Sequence, residues 1–141
     1  MLINLTEKKG FSVSHKFEEN PKQSDFLMHA HGCYELLIFI SGDITYLVEG
    51  NTYHPKPWDI LLFGIAETHK VTLCSSAPYE RLVIQIDKKW LESLDSSGGF
   101  LYPFEERKLG ENNIYRERDF EDNLCKRIVG NAFMHSKTER A

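Results

Sequence analysis

The stretch HAHGCYELLIFISG, His29 to Gly42, sets two histidines one residue apart and a carboxylate, Glu35, four positions after the second, where an apolar run begins. Side chains alternate along an extended chain, so His29, His31, Cys33, Glu35, Leu37 and Phe39 share one face, and Ala30, Tyr34, Leu36, Ile38 and Ile40 share the other. From Tyr34 onward both faces are apolar, which predicts a strand covered on both sides. Two imidazoles and a carboxylate then point into a space that is closing. A lone carboxylate there would lose its hydration, and a shared cation is one way to offset that loss. HKVTLC offers a fourth donor, because His69 alternates with Lys70 and lies on the face of Val71 and Leu73. Three imidazoles and one carboxylate, with no thiolate, suit a divalent transition metal such as Zn, Ni, Fe, Mn or Cu, and donor type does not choose among them. The same residues could equally line a polar pocket without an ion, or sit as hydrogen-bonded core groups, since a short HxH alone is weakly specific.

The elements that must position these residues are short strands. From about Phe26 to Asp87 apolar runs alternate with turn residues, as SGD, ITYLVEG, NTYHPKPWD, ILLF, HKVTLC and ERLVIQID, a rhythm that predicts a sandwich or barrel. Gly50-Asn51 is expected as a two-residue hairpin turn, with Gly42-Asp43 serving similarly before it. After Asp87 the period changes. DKKWLESL places Trp90, Leu91 and Leu94 on one helical face with Asp87 as N-cap. SSGGFLYPFEERKLGENN reads as loop, and Phe120, Leu124 and Ile128, with Val129, Ala132 and Phe133 beside them, form an amphipathic pattern capped by Asp119.

Composition bounds the classes. With 141 residues the chain is one domain's worth, and 41% hydrophobic content predicts a folded core. Seventeen basic against 21 acidic side chains give a net charge of −4, so the chain itself has little general attraction for nucleic acid or an anionic membrane. Cys33, Cys74 and Cys125 are odd in number and far apart, which argues against a disulfide framework or a thiolate zinc site and fits the reducing cytoplasm. No stretch is long enough for a signal peptide or a membrane span. No Ser-His-Asp order, glycine-rich phosphate loop or catalytic carboxylate pair appears, so no catalytic residue is assigned.

Beyond the four donors, Phe39, Tyr46 and Gln85 are candidate ligand-binding residues on strands able to face a barrel lumen, and Arg81 is another. Each has a plainer reading as a packing or surface residue. Trp58 and Trp90 read as packing anchors and Cys33 as a small buried hydrophobe. His15, His54 and His135 have no partner spacing and read as surface groups, and the clusters EEN and EERKLGEN read as solvated loops.

The spacing of His29, His31, Glu35 and Gly42 resembles the first cupin motif, HxH(x)3E(x)6G. The second motif is similar in part: Pro57, Asp59 and His69 are kept, Trp58 stands where glycine is usual, Gly64 and Ala66 replace the usual proline and glycine, and the closing asparagine is missing. The phrase YELLIFISGDITYLVEGNTYHPKPWDILLF further resembles the N-terminal sensor domain of AraC/XylS-type bacterial transcriptional regulators, closely over Phe26 to Asp87. The resemblance implies a mainly-β fold, a cupin double-stranded β-helix or jelly-roll barrel followed by a C-terminal helical segment. It implies an effector-binding barrel over residues 1–100, including the helix near 88–95, and a dimerisation or linker segment over 101–141. The implied partners are a small-molecule effector, a second copy of the chain, and DNA only through a domain beyond residue 141. The rival reading is a stand-alone metal-dependent cupin enzyme, a dioxygenase, isomerase or lyase, using the same four residues as ligands.

Overall fold

The computed structural model describes residues 1–94 and 97–116. Among them, strands β1 (Leu2–Lys8), β2 (Phe11–Glu18), β3 (Tyr34–Ser41), β6 (Ile60–Phe63), β8 (Tyr79–Ile86) and β9 (Ile114–Tyr115) form one sheet, in the order β1-β2-β8-β3-β6-β9. Strands β4 (Ile44–Val48), β5 (Asn51–Tyr53) and β7 (His69–Leu73) form a second, in the order β5-β4-β7. Every pairing between these strands is antiparallel. This is the mainly-β architecture that the strand rhythm predicts.

The two-sided burial expected of β3 follows from its alternation. Leu37 and Phe39 join Tyr46, Val48, Leu61, Phe63, Val71 and Val83 in a core between the sheets. Tyr34 and Ile38 face outward and are covered with Leu62 and Leu82 by Leu91 of helix α1 (Lys88–Leu94) and Phe104 of helix α2 (Tyr102–Glu105). Asp87 caps α1 as expected, accepting from the Trp90 N–H at 3.1 Å. Leu94 stays 53% exposed, so only part of the expected helical face is buried. The amphipathic segment over Phe120–Phe133 lies outside the described residues, as does His135.

Three local expectations are corrected. The regular strand begins at Tyr34, not near Phe26, and His29 is reached through an isolated antiparallel bridge to His69. Glycine and the polar residues ahead of Tyr34 do not sustain a ladder, but that one bridge is enough to dock the loop. The hairpin turn is Glu49-Gly50, one residue earlier than expected, because Val48 pairs with Asn51 and both turn residues take positive φ, +46° and +88°. Gly42-Asp43 carries the chain from one sheet to the other and is not a hairpin turn. There φ is +142° at Gly42, and a Cβ would stand 3.2 Å from the Tyr79 ring.

The segment expected as solvated loop instead contributes buried polar groups. Arg107 reaches Glu67 through two nitrogens, at 2.6 and 2.7 Å, with side-chain exposures of 3% and 0%. The Glu67 carboxylate also accepts from the N–H groups of Gly64 and Gly110 and from Asn113 Nδ2. Asn113 donates to the Leu62 carbonyl as well, which fastens residues 107–116 to the turn between β6 and β7. In the cluster EEN, Glu18 is paired with Arg81 and the N-terminal ammonium.

Two predictions follow from this turn. Burial alone would raise the Glu67 pKa, but Arg107 and the neighbouring donors hold it down at about 2, against an ordinary 4.5. A depressed folded-state pKa contributes stability that is complete above about pH 4.5 and is lost as the pH falls toward about 2, in all about 3 kcal/mol. Unfolding free energy measured across that window should fall with acid in the parent chain, and Glu67→Gln should lose the Glu67 share of that slope while the depressed Glu35 and Glu18 keep theirs. Ala66, where the cupin pattern has glycine, has φ +62°. Relief of about 1–2 kcal/mol of left-handed strain, less about 0.4–1 kcal/mol of unfolded-state entropy, makes Ala66→Gly more stable by about 0.5–1 kcal/mol, read from the urea midpoint.

Candidate functional site

His69 opens β7, and its ring is fixed twice. It stacks on Phe63 with centroids 3.9 Å apart and planes within 9°. Its Nδ1 stands 3.0 Å from the Glu67 carbonyl oxygen, which can only accept, so Nδ1 carries a proton and, in the neutral ring, Nε2 keeps the lone pair. His29 repeats the device, with Nδ1 2.9 Å from the Leu27 carbonyl. Main-chain bonds of 3.0 and 2.9 Å between His29 and His69 hold the two residues side by side, ring centroids 4.3 Å apart. His31 lies 4.6 Å from His29 by the same measure. Its carbonyl accepts from the Ala66 N–H at 2.9 Å, which ties the HxH loop to the turn before His69.

Glu35, buried at the start of β3, faces this cluster. Its Oε2 is 2.8 Å from His69 Nε2 and 3.6 Å from His31 Nε2. One donor atom from each of His29, His31, Glu35 and His69 lies within 4.8 Å of the others. His31 Nε2 and His69 Nε2 are buried and have no hydrogen-bond partner, the short approach to Glu35 lacking hydrogen-bond geometry. A neutral imidazole lone pair and an ionised carboxylate facing each other are two acceptors, which is unfavourable unless a cation or a proton lies between them.

The protonation states favour metal ligation. Burial pushes Glu35 upward, yet the nearby imidazoles, His69 first and then His31 and His29, bring it below the ordinary carboxylate range, so it is ionised at neutral pH. Burial lowers His31, Glu35 opposes that, and His29 and His69 add to it, leaving the ring below its ordinary value and neutral at pH 7. A neutral His31 ring and an ionised Glu35 are ligand-competent. Tetrahedral donors around such an ion stand about 3.4 Å apart, so the four, now within 4.8 Å of one another, would draw together on binding it. These four residues therefore fit a divalent transition ion. Glu35 and His69 form its deep side, His31 and the exposed His29 its rim.

A cavity of about 360 Å³ adjoins the cluster, with His29, Glu35 and His69 in its wall. The rest of the wall includes Leu37, Val71, Val83, Tyr46, Tyr79 and Arg81, with Lys16 and Glu18 also lining it. The Tyr46 and Tyr79 hydroxyls are 2.6 Å apart, and the Arg81 guanidinium lies over the Tyr79 ring at 4.4 Å. Burial raises both phenols, Tyr46 well above 10 and Tyr79 to about 12, so both stay protonated.

Of the expected ligand-binding residues, His29, Glu35, Tyr46 and His69 line this cavity, and His31 stands at the donor cluster. Phe39 does not line it: the ring is 2% exposed and packed into the inter-sheet core. Gln85 is also elsewhere. It is the register partner of Glu35, so its face is as expected, but its position along β8 puts it over a separate groove with Phe11, Cys33 and Trp90. Cys33 is half-buried there, and burial raises its thiol. His15 corrects the surface reading, being 1% exposed with Nε2 2.6 Å from Glu80. Tyr79 was not singled out from the sequence, although its alternation with Arg81 and Val83 carries the signal.

Residues 14–122 match the sequence profile of the family described as AraC-like ligand binding domain. Among solved structures, an RmlC-like cupin family protein with a double-stranded β-helix fold from Methanocaldococcus jannaschii superposes with a TM-score of 0.53 at 18% identity, over 62% of this chain and 79% of that one. AerE from Microcystis aeruginosa gives 0.52 at 11% identity, over 58% of this chain and 39% of its own. No curated protein matches the chain. Identities this low speak to the fold, which is a cupin-type double-stranded β-helix, while the profile match spans most of the sequence. By that profile match the chain belongs to the AraC-like ligand binding domain family.

Proposed function

We propose that the chain is the effector-sensing part of an AraC-type transcriptional regulator, binding a small molecule in the cavity beside a divalent ion held by His29, His31, Glu35 and His69. The observation that carries this reading is the unpaired, buried nitrogens of His31 and His69 turned toward an ionised Glu35 at the wall of a ligand-sized cavity. Bound there, the ion would supply a Lewis-acidic anchor for an oxygen or nitrogen atom of the effector. The protein's own groups do the rest: Tyr46 and Tyr79 offer hydroxyls, Leu37, Val71 and Val83 an apolar wall.

Sensing needs no bond to break. An effector that binds one arrangement of the domain better than another shifts their populations, and the segment after residue 100 is the part proposed to carry that shift to a second copy and to a DNA-binding domain. A cytoplasmic protein is the setting for that role. The rival reading, a metal-dependent cupin enzyme, would use the same four residues as ligands.

Dialysis against Zn²⁺ followed by elemental analysis should return one ion per chain for the parent, and none for His69→Ala or His31→Ala variants that remain folded by circular dichroism. Thermal shift against a panel of small polar metabolites should then find ligands that raise Tm by about 10 °C near one hundred times Kd. The gain should vanish in Val83→Trp, which fills the cavity. Retained zinc in both histidine variants, or no ligand sensitive to Val83→Trp, would defeat the proposal.

A further inference from the structure

We infer that Arg107 is a positioning residue for His69, acting through Glu67, so that the site's affinity for a divalent ion depends on a side chain that does not touch it. This rests on the reading of His29, His31, Glu35 and His69 as an ion site. Glu67 has two jobs at once. Its main-chain carbonyl accepts the His69 Nδ1–H at 3.0 Å, which leaves Nε2 free to face Glu35. Its side chain is wholly buried, and both carboxylate oxygens are taken by Arg107, at 2.6 and 2.7 Å. A bidentate guanidinium fixes the carboxylate in angle as well as distance, which a single ammonium does not.

The Gly64 and Gly110 N–H groups bind the same carboxylate at 2.8 and 2.7 Å, so Glu67 is held both from the start of the turn that precedes His69 and from the segment after α2. Anchoring the side chain in this way restrains the main chain at Glu67, and with it the carbonyl that meets the ring. An outer group that fixes a ligand histidine's tautomer and orientation typically sets metal affinity within a factor of about 10–100. Here that outer group is itself fixed by a residue on the segment that follows α2. Linkage makes the effect reciprocal: an ion drawn to Nε2 strengthens the Nδ1–H donor, and so holds residues 107–110 more firmly. Occupancy of the barrel mouth would in this way be felt in the part of the chain leading beyond residue 116.

The test uses the full chain and two variants, Arg107→Lys and the double variant Arg107→Met with Glu67→Gln, which removes both buried charges together. Long-range ¹H–¹⁵N spectra of the ion-free protein report the His69 tautomer, and Co²⁺ titration followed by visible absorption reports affinity and ligand field. We expect the double variant to lose the single Nδ1–H form of His69, to bind Co²⁺ about 10–100-fold more weakly and to show shifted d–d bands, with Arg107→Lys recovering part of the loss. Folded variants with lower Tm but parental His69 nitrogen shifts and parental Co²⁺ affinity would overturn the inference, leaving the clasp purely structural. A parent that takes up no Co²⁺ while His69 still changes tautomer in the variants would support the clasp and remove the ion reading alone.

Discussion

A buried carboxylate needs donors or positive charge around it, and two of those buried in this barrel stand in opposite conditions. Glu67, with none of its side chain exposed, is surrounded by a guanidinium, two main-chain N–H groups and an amide. Glu35, with 7% exposed, faces the Nε2 atoms of His69 and His31, which have no hydrogen-bond partner. The first arrangement is complete as it stands. The second invites a cation, and the folded chain supports it through strand pairing, ring stacking and the Glu67 carbonyl. The contrast within one structure gives the donor cluster its meaning: the fold satisfies the Glu67 carboxylate fully from its own groups and leaves Glu35 facing imidazoles.

The position of the cluster matters as much as its chemistry. Glu35 and His69 are deep and rigid, packed against Phe63, whereas His29 and His31 come from a loop tied down by a single strand-like bridge and one bond to Ala66. Half of the site is thus built on the sheets and half on a segment that spans the mouth. Ligand chemistry on such a seam bears on both the core and the rim, as a sensing domain requires. On the opposite face of β3, Tyr34, next in sequence to Glu35, stacks on Phe104 and bonds Glu105, so α2 also lies one residue from the site.

Much of this was legible from residue order, for a physical reason. Alternation along β3 and β7 is a geometric property of extended chain, so the facing of Glu35, Leu37, His69 and Val71 could be read without coordinates. The Asp87 cap was legible because capping is local. The misses are the non-local cases. Phe39 and Gln85 share the right face of their strands, but their distance along the barrel depends on how the sheets overlap, which alternation does not encode. The one-residue error at Glu49-Gly50 arose because glycine can occupy either turn position, and only the pairing of Val48 with Asn51 decides. Arg107 and Asn113 sit among polar neighbours and read as solvated, since nothing local shows that a carboxylate 40 positions from Arg107 is buried opposite it. His15 was missed for the same reason, its partner Glu80 lying 65 residues away.

The central claim is that four side chains share one focus. X-ray absorption at the zinc edge, on protein reconstituted with one equivalent of Zn²⁺, tests it most directly because it counts and identifies the bound atoms. The account predicts imidazole scattering from three rings together with a carboxylate oxygen around a single ion. A spectrum showing two rings or fewer, or sulfur from Cys33, would contradict it.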